Sequence, residues 1–111
     1  MNVPAIPKTL LPDTIKVRVP AESKYGGGYA RAKTITNCRL DAKNAVMRGS
    51  SYVWVDGTTG LLFIDARNSE GAFEIPVGSL ISVNGKPEVS AVQVDCYRPY
   101  DEVHHWEIQV K

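Results

Sequence analysis

Two adjacent histidines, His104 and His105, sit among Asp101, Glu102 and Glu107. Imidazoles and carboxylates in one short stretch are what zinc coordination and general acid–base catalysis both use. The spacing argues against a shared ion, because successive side chains of a strand point to opposite faces and neighbouring imidazoles are expected on opposite sides of a sheet. Cys38 and Cys96 form no Cys-x-x-Cys pair that would join a histidine in a zinc site. Each lies in an alternating apolar run, the setting of a buried free thiol in a reducing compartment rather than of a disulfide. Gly26-Gly27-Gly28 lacks the following Lys-Ser or Lys-Thr and the helix of a phosphate-binding loop, and reads as a hinge. Gly85-Lys86 is followed by Pro87 where such a loop needs a hydroxyl, and reads as a turn. No serine or cysteine is accompanied by a base and a third, orienting group. No catalytic residue, metal ligand or cofactor is expected, and the chain reads as one that builds rather than catalyses.

Two further sets of residues point to partners. Tyr25, Tyr29, Met47, Tyr52 and Trp54 lie in or beside the glycine-bearing connections, where large side chains are candidate interface anchors. Trp54 and the tyrosines could equally fill the interior of a small barrel. Lys24, Arg31, Lys33, Lys43 and Arg48 are candidates to face nucleic-acid phosphates, together with Lys16, Arg18 and Arg39, although alternating strands also expose basic residues for solubility. Residues 1–50 carry nine Lys and Arg against three Asp and Glu, and residues 51–111 carry four against nine. Either the two halves interleave in space and the segregation disappears, or it gives copies complementary faces or a basic face toward DNA.

The elements that must position these residues are short. A chain of 111 residues fits one domain, with 43% hydrophobic and 23% charged residues near the globular average. No run of 18 apolar residues is present, and the N-terminus lacks the charged-then-apolar pattern of a secretory signal, so residence inside a cell without a membrane span is expected. Three prolines between Val3 and Pro12 make residues 1–12 an extended arm. Residues 13–111 follow as a single domain. Ile15, Val17 and Val19 alternate with Lys16 and Arg18 as a strand closed by Pro20, and residues 21–28 read as a flexible loop. A long β segment is expected over residues 29–42, with Asn37 marking a bulge that changes parity. Residues 43–51 form a variable connection. Tyr52–Val55 and Leu61–Asp65 read as two strands of a hairpin around Asp56-Gly57, and Leu80–Val83 and Val92–Cys96 as a second around Asn84-Gly85. Trp106, Ile108 and Val110 alternate in a last strand. Six to eight short strands without a long helix imply an all-β fold, a small antiparallel barrel or sandwich.

Across nearly its whole length the chain resembles the small minor capsid proteins of tailed phages and prophages of Gram-positive bacteria. The resemblance rests on the arm ending Leu10-Leu11-Pro12, on Leu62-Phe63-Ile64-Asp65 followed by Ala72-Phe73-Glu74 and Pro76-x-Gly78, on Asn84-Gly85-Lys86, and on His104-His105-Trp106-Glu107-Ile108. Pro87 departs from it, standing where members continue the strand, and residues 43–60 match nothing in it. The resemblance implies a structural protein of the virion, assembled in the host cytoplasm. It implies a head-completion or stopper component that forms a ring of copies between portal or adaptor and tail proteins; in such a ring, basic loops facing the lumen could contact packaged DNA without reading its sequence. It carries no catalytic residues. The alternative is a nucleic-acid-binding β-barrel with Tyr29 or Trp54 as stacking platforms.

Overall fold

The computed structural model describes residues 3–21, 27–43 and 53–111. Eight strands are present among them: β1 Asp13–Arg18, β2 Pro20–Ala21, β3 Gly28–Tyr29, β4 Lys33–Ala42, β5 Gly60–Asp65, β6 Leu80–Val83, β7 Val89–Tyr97 and β8 His105–Val110. Six of them close an antiparallel barrel in the order β1-β4-β5-β8-β7-β6, and β2 and β3 form a separate two-stranded ladder. Closure leaves the barrel with no open strand edge. The expected long segment over 29–42 is therefore two strands, and Ala21 and Gly28, expected in a loop, pair with each other.

Alternation sets the inner wall. Ile15 and Val17 of β1, Leu62 and Ile64 of β5, Ile81 and Val83 of β6 and Trp106, Ile108 and Val110 of β8 all lie in the core. Trp54 and Tyr29 do not, since Trp106 supplies the interior indole. On β4, Ile35 and Cys38 are both fully buried although three residues apart. A strand with a period of two cannot place both inside unless one residue is inserted. Asn37 is that residue: it takes φ 58°, and the β1–β4 register slips between Asp13↔Cys38 and Ile15↔Ile35. The bulge frees Thr36 N–H to donate to Glu70 O at 3.1 Å, bringing the 66–71 turn against β4. Gly71 closes that approach. Its φ is +86° and a Cβ there would lie 2.8 Å from Thr34 O.

The second expected hairpin is present. Asn84 and Gly85 take φ 51° and 77°, and Lys86 N–H donates to Val83 O at 3.0 Å. Pairing of β6 with β7 starts only at Val89, beyond Pro87, which has no N–H to give a ladder. The first expected hairpin is absent. Residues 53–55 are not a strand, and β5 pairs with β4 and β8 instead. Residues 53–59 lie as a strap over the outside of the barrel.

Candidate functional site

The outward-facing residues of β5 and β8 should meet water by simple alternation. They do not: Asp65 and Gln109 are fully buried and Glu107 is 6% exposed. The arm covers one end of this face and the strap the other.

At the arm end, Asp65 is the hub. Its Oδ1 accepts Ile6 N–H at 3.0 Å, while Oδ2 accepts the N–H groups of Arg67 at 3.0 Å and Asn68 at 2.7 Å. The carboxylate thus shapes the turn after β5 and grips the arm with the same group, a local side-chain–backbone motif extended to a distant segment. Asn68 completes the grip by donating from Nδ2 to Ile6 O at 2.7 Å. Both backbone groups of Ile6 are therefore held, as a neighbouring strand would hold them. Leu11 is buried at the root of the arm, and Arg39, Asp41 and Phe63 line an open groove of about 220 Å³ with Ile6, Leu10 and Leu11.

The histidines lie beside this grip. His104 precedes β8, so the alternation rule does not apply to it. The two rings meet edge to face with Nδ1···Nδ1 at 2.8 Å, correcting the expectation that they point apart. His104 Nε2 reaches Pro4 O at 2.6 Å, and His105 Nε2 reaches Glu107 Oε2 at 2.9 Å. Tyr97 stacks on His105 with ring centroids 4.7 Å apart. Among the described residues no group of three or more His, Cys, Asp or Glu is arranged to hold a metal ion.

At the strap end, Gln109 does the work of Asp65 without charge. Its Oε1 accepts Val55 N–H at 2.8 Å and the Thr58 hydroxyl at 3.0 Å, and its Nε2 donates to Val53 O at 3.0 Å. Thr59 N–H then joins Val110 O at 2.8 Å and leads into β5.

Both cysteines are free thiols. Burial pushes the Cys38 thiol up to about 12, against a smaller opposing effect of its contact with Ser69. Cys96 is half-buried.

The candidate contact residues fall in two groups. Tyr25, Met47, Tyr52, Lys24 and Arg48 lie outside the described residues. Of the others, Tyr29 is exposed with the Arg18 guanidinium 5.3 Å from its ring centre, and Trp54 lies in the strap with Lys43 Nζ at 5.3 Å. Lys33 sits 4.9 Å from the Phe73 ring, and Arg31 is exposed between β3 and β4. The structure does not gather these basic residues at one point; it sets several over aromatic rings. Arg18 also donates twice to Glu88 at 2.7 Å, which raises its own pKa and holds that carboxylate below its usual range. This ion pair joins the basic half of the sequence to the acidic half, whereas Arg39–Asp41 and Arg67–Glu102 each lie within one half. Sequence reasoning missed Asp65, Asn68 and Gln109. The only signal for Asp65 was its position before Arg67-Asn68-Ser69, the composition of a turn closed by a carboxylate.

A packed barrel whose buried polar residues tie down its own chain is a scaffold. The chain matches the family model described as minor capsid protein over residues 7–110 and belongs to that family. It is accordingly a structural component of a phage virion. No curated protein and no solved structure gave a significant match.

Proposed function

We propose that this chain is a head-completion or stopper component, acting as a ring of copies between the portal or adaptor and the tail. The observation that carries the reading is the family match over residues 7–110, every strand of the barrel with half of its arm. The architecture supports it. A closed barrel has no free edge to extend by strand pairing, so copies that meet on its wall do so through side chains and covering segments. Rings need two different patches on one subunit. β1 and β8 lie three strands apart in either direction round the barrel, β1 exposing Lys16 and β8 lying beneath the arm and strap. In this reading Tyr29 and Trp54, with Tyr25, Met47 and Tyr52, make the protein contacts. Lys24, Arg31, Lys33, Lys43 and Arg48 meet packaged DNA through its phosphates without reading sequence.

The test is addition of the purified chain to isolated portal assemblies, followed by electron microscopy. A ring of added density at one end of the portal is expected, with the chain also present in purified virions by mass spectrometry. Its absence from virions overturns the proposal.

A further inference from the structure

We infer that the tip of the N-terminal arm is held by a proton relay running from Pro4 through His104 and His105 to Glu107, and that removing one proton from this relay releases the tip. The number of protons decides the state of the relay. The relay has three contacts: Pro4 O to His104 Nε2 at 2.6 Å, His104 Nδ1 to His105 Nδ1 at 2.8 Å, and His105 Nε2 to Glu107 Oε2 at 2.9 Å. Each contact needs one hydrogen between its two heavy atoms. A carbonyl oxygen only accepts, so His104 Nε2 carries a proton. Either ring could donate across the Nδ1···Nδ1 contact; the extra charge belongs on the ring nearer the carboxylate, and His105 Nε2 is the nitrogen 2.9 Å from Glu107, so His104 is neutral and accepts at Nδ1. His105 therefore faces Glu107 either as an imidazolium beside a carboxylate, or as a neutral ring beside a carboxylic acid. The charged arrangement is the one its surroundings favour. Asp65 lies opposite His105 on β5, already accepting three N–H groups, and Asp95 lies opposite Glu107 on β7. Tyr97 stacks on the ring from β7. Arg67, the opposing cation near His104, has Glu102 at 3.9 Å.

When the relay loses a proton, two hydrogens remain for three contacts and one contact becomes lone pair against lone pair. The bond to the carboxylate is charge-assisted and is kept; of the two neutral contacts, one joins adjacent residues of the barrel and the other reaches Pro4 on the arm, which can move away, so the deficit is expressed at Pro4. His105 keeps Nε2–H on Glu107, His104 shifts to the Nδ1–H tautomer, and Pro4 O loses its donor. Ile6 keeps its bonds to Asp65 and Asn68, so only residues up to Ala5 come free. Loss of that proton is driven by rising pH. Grip is present on the acid side and lost on the alkaline side.

The test uses the intact chain in solution. Long-range proton–nitrogen NMR of the rings at pH 5.5 is expected to show His105 protonated on both nitrogens and His104 as the Nε2–H tautomer. Relaxation of the Ala5 methyl group, insensitive to amide exchange, is expected to report an ordered tip at pH 5.5 and loss of that order at pH 9. Glu107→Gln is the sharper variant. Its amide turns to donate to a neutral His105, so all three contacts are kept without a titrating charge and Ala5 stays ordered at both pH values. His104→Phe frees Ala5 at both. A neutral His105 at pH 5.5, or equal Ala5 order at pH 5.5 and pH 9 in the unaltered chain, overturns the inference, and neither reading requires a variant to fold.

Discussion

The arm and the strap cover neighbouring parts of one barrel face, yet they are held by different chemistry. Asp65 takes three N–H groups on a single carboxylate, and the arm it grips is also tied to a pair of histidines. Gln109 offers an acceptor and a donor from one neutral amide, and every strap contact it makes is independent of pH over the range in which proteins fold. An anionic hub is stronger for each bond, and it suffers more when a partner is missing. The arm is thus the cover that conditions can loosen, and the strap the one they cannot. For a virion component, that separates a segment able to rearrange on meeting a neighbour from a segment that belongs to the barrel.

The largest effect that would break this contrast is at Asp65. Asp65→Ala leaves the N–H groups of Ile6, Arg67 and Asn68 without their acceptor and is expected to cost about 4 kcal/mol in urea unfolding. A loss near 1 kcal/mol would mean that the carboxylate is no hub. Gln109→Leu should cost about 3 kcal/mol, because Val55 N–H, Val53 O and the Thr58 hydroxyl lose their partner, and the loss should be the same at pH 5.5 and pH 9. A pH-dependent loss there would erase the distinction between the covers.

Cys38 separates release of a cover from loss of the barrel. Its thiol is held up to about 12 in the folded chain, against 9.0 for an ordinary thiol, because burial disfavours the thiolate. A raised folded value means stability is fully present below pH 9 and is lost as pH rises toward 12. By pH 10.5 the expected loss is about 2 kcal/mol, at roughly 1.4 kcal/mol per pH unit. Unfolding curves in that range should move arm and strap probes together, and Cys38→Ala should flatten the alkaline slope. The smallest effect is at Thr58→Val, which removes one of the three contacts Gln109 makes to the strap and should cost about 1 kcal/mol in the same assay.

The inner wall of the barrel was legible in the sequence and the outer face was not. Ile15, Val17, Trp106, Ile108 and Val110 alternate because one side of each strand is packed. Asn37 could be read as a bulge, and Asn84-Gly85 as a tight turn, because local backbone geometry selects those residues. The same alternation assigned Glu107 and Gln109 to water. Whether a strand's second face is covered depends on where distant chain segments lie, and the arm and strap have no periodicity to announce it. Residues 53–55 looked like a strand because they are apolar, but they lie outside the barrel, where Trp54 and Val55 are half-buried and Val53 is exposed. The histidines were misplaced for a smaller reason, one residue in the start of β8. Family resemblance reached the right class from motifs that lie mostly in strands and turns, while the clamp at Ile6, Asp65 and Asn68 follows only from tertiary contacts.

The most direct measurement is one pH titration of the intact chain that follows the Ala5 methyl in the arm and the Val55 methyls in the strap in the same sample. Loosening of Ala5 between pH 5.5 and pH 9 while Val55 stays unchanged is the expected result. Movement of both together, or of neither, would contradict the account.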